Sequence, residues 1–323
     1  MVRRLTRPAR CGNPAGMLLT RDARGAFVIA PTPFLPDGAL DLASARGMVE
    51  AFLRMGASGL TILGVMGEAP KLDAEEALAF TRAVLDANAG QVPVIVGVSA
   101  PGFAAMRSLS QAVMEAGASG VMIAPAPGLR GDEAVVAWLQ EAAAQVAPAP
   151  WCLQDFPLTT GVAITPAMIA RLAADPHLAM LKAEDCPGLD KITAIRVLEA
   201  AGAMPRLSIM GGYYGLFLPE ELARGTDGVM TGYAFPELLV AMTRQGMTDA
   251  MWDRFEAHLP LIRADSQPGL GLAIRKYVLA RRGIIAHATA RAPAPKLSDA
   301  SRAEIDHLLR RLARRDPIAS GLT

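Results

Sequence analysis

Lys182 ends the apolar run Leu178-Ala-Met-Leu181, and Glu184 follows two residues later. The chain carries only five lysines against 27 arginines, so a lysine at this place is a departure from its own habit. A guanidinium stays protonated and cannot act as an amine nucleophile, whereas a lysine amine can. Desolvation by Met180, Leu181 and the surrounding strands favours the neutral amine, which attacks a ketone to give an iminium. The plain structural alternative is a strand-end lysine that reaches solvent or pairs with Glu184 or Asp185.

Three further runs could serve such an amine. In Gly64-Val65-Met66-Gly67-Glu68, a glycine-flanked turn offers backbone N–H groups that could cradle a carboxylate, and Glu68 could equally be a capping acid. Gln154-Asp155-Phe156-Pro157, then Thr159-Thr160-Gly161, is a polar loop after an apolar run, with an ordinary turn as its plain reading. Tyr213-Tyr214 after Gly211-Gly212 could line a pocket or simply pack. Thr32 and Ser99 complete the polar residues expected at strand ends. The four histidines show neither HxH nor HxxxH spacing and the three cysteines no CxxC, so no metal is expected.

Something must bring these runs together. Eight β-rich apolar runs, at 26–31, 59–64, 93–98, 120–124, 150–154, 178–182, 207–210 and 228–231, alternate with stretches of helical period. Helices are expected at 41–55, 73–88, 132–146, 165–174 and 189–201, two of them with start signals in Asp73 with Glu76 and Thr165 with Pro166. Gly56-Ala-Ser-Gly59, Gly117-Ala-Ser-Gly120 and Gly225-Thr-Asp-Gly228 repeat one helix-to-strand sentence, which implies duplicated βα units. An open doubly wound sheet is the alternative, but it lacks its GxGxxG fingerprint. Eight units in so short a span suit a closed (β/α)8 barrel, the TIM barrel, whose active site lies at the C-terminal strand ends.

The expected organisation is a barrel over 25–246 and a C-terminal helical extension over 247–323, with helices at 249–262, 270–280 and 298–314. The arginine-rich stretch 1–24, broken by Pro8, Gly12, Pro14 and Gly16, is expected to stand apart as a disordered or mis-started tail, with Met17 a candidate start. A net charge of +1 gives no global field for nucleic acid, and no apolar run reaches membrane-span length. The odd cysteine count argues against a disulfide framework, so a cytoplasmic enzyme is expected.

In order along the chain, Ala30-Pro-Thr-Pro-Phe34, Gly64 to Glu68, Pro157 to Gly161 and Leu181-Lys182 resemble the dihydrodipicolinate synthase and N-acetylneuraminate lyase family. The resemblance implies a (β/α)8 lyase, commonly a homotetramer, in which Lys182 is the Schiff-base lysine for a 2-oxo acid, with no other cofactor. Synthase members have Thr-Thr where this chain has Val65-Met66, and a Tyr and an Arg in the run that here reads Gln154 to Gly161. Gln154-Asp-Phe-Pro157, Lys182-Ala-Glu184 and Met230 to Pro236 are similar to the 2-keto-3-deoxy-L-arabonate dehydratase branch. The expected site is therefore Lys182, Gln154 and Glu184 as catalytic residues, with Val65, Met66, Gly67, Asp155 and Gly211 binding a 2-keto-3-deoxy sugar acid. Glu184 is the preferred acid or base, because strand alternation puts residues 182 and 184 on one face. Dehydration and retro-aldol cleavage are both compatible with these residues, and dihydrodipicolinate synthesis or a non-catalytic sugar-acid-binding barrel are the rival functions.

Overall fold

A computed structural model describes residues 17–186 and 188–322. Eight parallel strands close into one ring in sequence order: β1 (Gly25–Ile29), β2 (Gly59–Ile62), β3 (Val94–Gly97), β4 (Gly120–Ile123), β5 (Trp151–Asp155), β6 (Leu178–Ala183), β7 (Ser208–Gly211) and β8 (Gly228–Thr231). Pairing of Gly25 to Val28 with Gly228 to Thr231 joins the last strand to the first. The chain is thus a (β/α)8 barrel, and each strand begins and ends within a few residues of its expected run.

The repeated glycines explain how so many units fit. Gly56, Gly117 and Gly225 all have φ between +86° and +107°, the left-handed region that ends a helix without cost only for glycine. At Gly228, a Cβ would lie 2.0 Å from the Gly25 carbonyl oxygen, so the seam between β8 and β1 also requires glycine. Asp73 with Glu76 forms the expected capping box, and the Thr165 side chain caps the helix that starts at Pro166.

Strand alternation sorts the apolar residues into two cores. The larger lies between the strands and the surrounding helices and continues into the C-terminal extension. The smaller fills the barrel itself with Phe27, Ile29, Ile95, Met122, Cys152, Met180, Met210 and Met230, so the interior is a packed column.

The tail expected over 1–24 needs correction in its last eight residues; residues 1–16 lie outside the described residues. Leu19 is buried against the column and closes its lower end. Its N–H donates to the Ser119 carbonyl at 2.8 Å, and the Arg21 guanidinium donates to the carbonyls of Ala173, Asp175 and Leu178. A single plugging leucine has no periodicity, which is why sequence patterning passed over it.

Helices Asp249–Asp265, Gly271–Arg281 and Asp299–Ala313 form the extension. A buried chain of hydrogen bonds ties it together: Tyr233 Oη to His258 Nδ1 at 2.8 Å, and His258 Nε2 to Asp316 Oδ2 at 2.9 Å. Burial pushes His258 below the usual histidine range, as suits a neutral ring that accepts from Tyr233 and donates to Asp316. No helix among the described residues is long and apolar enough to cross a membrane.

Truncating the plug tests whether residues 17–24 belong to the fold. Leu19→Ala is expected to lower stability by about 2–5 kcal/mol, the range for a buried leucine, measured as a shift of the urea midpoint. A shift of a few tenths of a kcal/mol would mean that the floor holds without it.

Candidate active site

A cavity of about 510 Å³ opens at the C-terminal ends of the strands, above the methionine-rich column. Lys182, the last inward residue of β6, lines it with its side chain only 4% exposed. Its Nζ lies 2.6 Å from Glu184 Oε2, and Gln154 Nε2 donates to the same oxygen at 2.7 Å. The pairing of Gln154 with Lys182 across β5 and β6 fixes this arrangement. One ion pair and one hydrogen bond meet at Oε2, and Oε1 has no protein donor among the described residues. A carboxylate so placed can take the ammonium proton from Lys182 and free the amine, and it can pass that proton on.

On the opposite side of the ring, the turn after β2 lines the same cavity with Gly64, Val65 and Met66. The N–H groups of Val65 and Met66 find no acceptor among the described residues, whereas the Gly67 N–H is spent on the Gly64 carbonyl at 2.9 Å. Val65 is 49% exposed at the rim.

The expected residues therefore divide. Lys182, Gln154, Glu184, Val65 and Met66 meet around one cavity; Gly67, Asp155 and Gly211 are not among its lining. Gly67 is buried behind the turn, where its carbonyl accepts from Thr32 Oγ1 at 2.6 Å. Asp155 points the other way from Gln154, as alternation on β5 demands, and pairs at 2.8 Å with Lys191 of the helix Leu189–Ala200. Burial raises its carboxyl to about 6 against the pull of Lys191. Gly211 has no room for a side chain, since a Cβ there would lie 1.9 Å from Glu221 Oε2.

Glu68 stands at a helix-cap position but is no capping acid, since its side chain makes no capping hydrogen bond there. It is 2% exposed, takes up the left-handed conformation at φ 55°, and accepts from Lys276, from Lys71 at 2.8 Å and from the Arg291 N–H at 3.0 Å. Ser99 likewise serves the backbone, its Oγ accepting from the Ala124 N–H at 2.8 Å.

Other lining residues were not foreseen. Ser266 to Gly269, Gly271, Leu272 and Arg275 come from the extension, and Thr231 from β8. Tyr213 and Tyr214, by contrast candidates from the sequence, both line the cavity, with φ of 42° and 64° on successive non-glycine residues. Such strain persists where surrounding structure imposes it and gathers at functional sites. Cys152 sits in the column below, and burial pushes its thiol up to about 12, which removes it as a nucleophile. Among the described residues no cluster of His, Cys, Asp and Glu could hold a metal ion.

A closed parallel barrel with a buried lysine on its sixth strand and a carboxylate against the amine defines a class, the lyases that hold a 2-oxo acid as a Schiff base. Residues 22–312 match the model of the dihydrodipicolinate synthetase family, and the chain belongs to that family. Members of the family join a lysine to a 2-oxo acid as a Schiff base and use no metal cofactor. The chain is 30% identical to the L-2-keto-3-deoxyarabonate dehydratase of Azospirillum brasilense, over 91% of this chain and 95% of that one. It is 32% identical to the 4-hydroxy-tetrahydrodipicolinate synthase of Sorangium cellulosum, over 90% and 97%. The crystal structure of a dihydrodipicolinate synthase from Rhodopseudomonas palustris is 47% identical, with a TM-score of 0.89, covering 92% of this chain and all of the other.

Glu221 supplies a pH test of the wall behind the site. It is buried, receives the Gly212 N–H, and among the described residues has no partner for Oε2, so burial lifts it from 4.5 to about 8. A raised carboxyl stabilises the fold fully below its unfolded value, and that contribution is lost as pH rises through the folded value. Melting temperature should therefore fall as pH rises from 4.5 to 8, and Glu221→Gln should flatten that fall. Identical slopes in the two proteins would show that Glu221 is charged in the fold throughout.

Proposed function

We propose that this lyase acts as a dehydratase or aldolase on a 2-keto-3-deoxy sugar acid such as 2-keto-3-deoxy-L-arabonate. The observation that carries this reading is the contact of Lys182 Nζ with Glu184 Oε2, with Gln154 fixing the carboxylate. Glu184 takes the ammonium proton, the free amine adds to C2, and loss of water from the adduct gives an iminium. The Val65 and Met66 N–H groups hold the substrate carboxylate. The iminium acidifies C3; Glu184, which has given its first proton to the water lost from the adduct, takes a proton from C3 and hands it to the departing C4 hydroxyl, which leaves as water, and addition of water to the remaining iminium restores Lys182. Retro-aldol cleavage would instead break the C3–C4 bond of the same adduct and release pyruvate.

The synthase name carried by two of the relatives favours a second reading, condensation of pyruvate with aspartate semialdehyde. The site speaks against it. Gln154 can donate a hydrogen bond but does not exchange protons at neutral pH, and Thr159 is too short to grip a second carboxylate as an arginine would. Lacking that contact forfeits roughly 1.5–3 kcal/mol, about ten- to a hundredfold in binding. Assembly as a dimer or tetramer in the cytoplasm belongs to the same reading, supported by the family membership.

Borohydride with pyruvate should add the mass of a reduced adduct at Lys182, and Lys182→Ala should abolish it; labelling that persists undiminished in the variant would sink the assignment. Offered a panel of 2-keto-3-deoxy acids, the protein should yield dehydrated or cleaved products by mass spectrometry, and little or no dihydrodipicolinate from pyruvate with aspartate semialdehyde. Light scattering should report an oligomer, and an active monomer would refute the assembly.

A further inference from the structure

We propose that Arg275, delivered by the C-terminal extension, is the specificity-determining contact for a neutral, hydroxylated tail on the 2-oxo acid. This deepens the reading of the site as one for sugar acids and rests on it.

Arg275 lines the cavity although it is only 1% exposed. Its Nε and Nη2 both donate to Asp265 Oδ2, at 3.1 and 2.7 Å, and its guanidinium carbon lies 5.4 Å from the centre of the Tyr214 ring. The fork is therefore fixed in place. Nη1, however, has no partner among the described residues, and an unmatched buried donor is costly unless a ligand meets it. Room has been made for this nitrogen: a Cβ on Gly232, just beyond β8, would lie 2.3 Å from it.

Position in the ring says which part of a substrate would arrive there. Lys182 on β6 and the Val65-Met66 turn after β2 stand opposite each other, so an acid bound between them has its C1 carboxylate towards β2 and C2 at β6. Glu184 leans over β7, since a Cβ at Gly212 would lie 2.3 Å from its Cγ. Carbons beyond C3 that pass Glu184 run on towards β8, where Thr231, Tyr214, Ser266, Gln267 and Arg275 line the wall. The wall on the far side, above β5, carries Phe156 and the 65% exposed Leu158 beside Gln154 and Thr159, and no charged side chain. Charge selects the tail's chemistry: Asp265 already balances Arg275, so a second carboxylate would add uncompensated charge, whereas a hydroxyl oxygen accepts from Nη1 and leaves the balance intact.

The test compares 2-oxo acids as occupants of Lys182, by borohydride trapping and intact mass, and so needs no turnover. It is run at pH 8, above the value of about 7 to which burial raises Asp265. Pyruvate, 2-oxopentanoate, 2-keto-3-deoxy-L-arabonate and 2-oxoglutarate are titrated against wild type, Arg275→Lys and the charge-balanced pair Arg275→Met with Asp265→Asn. Wild type should trap the hydroxylated acid at a concentration at least about tenfold below 2-oxopentanoate, the gain of one charge-assisted hydrogen bond. The paired variant should shrink that ratio to within about threefold, and Arg275→Lys, which keeps the charge but not the fork, should fall between. An unchanged ratio in the paired variant, or a wild type that prefers 2-oxoglutarate, would overturn the assignment of Arg275 alone. A wild type that traps no 2-oxo acid at Lys182 would overturn the Schiff-base reading and this contact with it.

Discussion

A carboxylate with almost no access to water must be surrounded by donors, and Glu68 is the place where this chain meets that demand. Lys276 comes from the extension, Lys71 from the turn after β2, and the Arg291 N–H from the segment between the last two helices of the extension. Burial pushes Lys276 below the usual lysine range while Glu68 pulls the other way, so each charge is tolerable only because the other is present. The turn carrying Val65 and Met66 and the helix carrying Arg275 are thereby fixed to one point. The cavity is built jointly by the second strand's turn and the last quarter of the chain, and neither can move without breaking the same contact.

The barrel beneath is arranged so that the polar site has a dry floor. Methionines at 122, 180, 210 and 230 fill the interior below Lys182, and an unbranched thioether suits an irregular ring of strands. An amine standing on such a column can turn only towards the mouth, where Glu184 and Gln154 wait. The apolar column aims the lysine; the paired carboxylate governs its proton.

Much of this was legible in the sequence. Continuous apolar β-rich runs marked all eight strands, and a repeated glycine pair preceded three of them, because a buried parallel strand leaves a composition signal that short turns punctuate. Alternation also placed Lys182 and Glu184 on one face. The same rule, applied to β5, would have turned Asp155 away from the cavity once Gln154 was turned in. Gly211 and Gly67 fall outside the lining for a different reason: a glycine near a site can face the cavity or make room for a neighbour, here Glu221 and the turn, and spacing does not separate the two. Arg275 left no signal at all, since it sits in an ordinary helix and gains its meaning only from where the extension folds back over the barrel.

The scarcity of lysine gives the molecule an unusual chemical profile. Of the five amines, Lys182 and Lys276 are buried, Lys71 and Lys191 are held by carboxylates, and Lys296 alone among them is exposed. Lysine side chains therefore offer amine-selective probes few surface targets, and an electrophile shaped for the cavity would mark one lysine against little lysine background. A protein that writes its surface cations as arginine has, in effect, reserved the primary amine for interior use, which makes it a clean scaffold for attaching a single catalytic or reporter group at the mouth of the barrel.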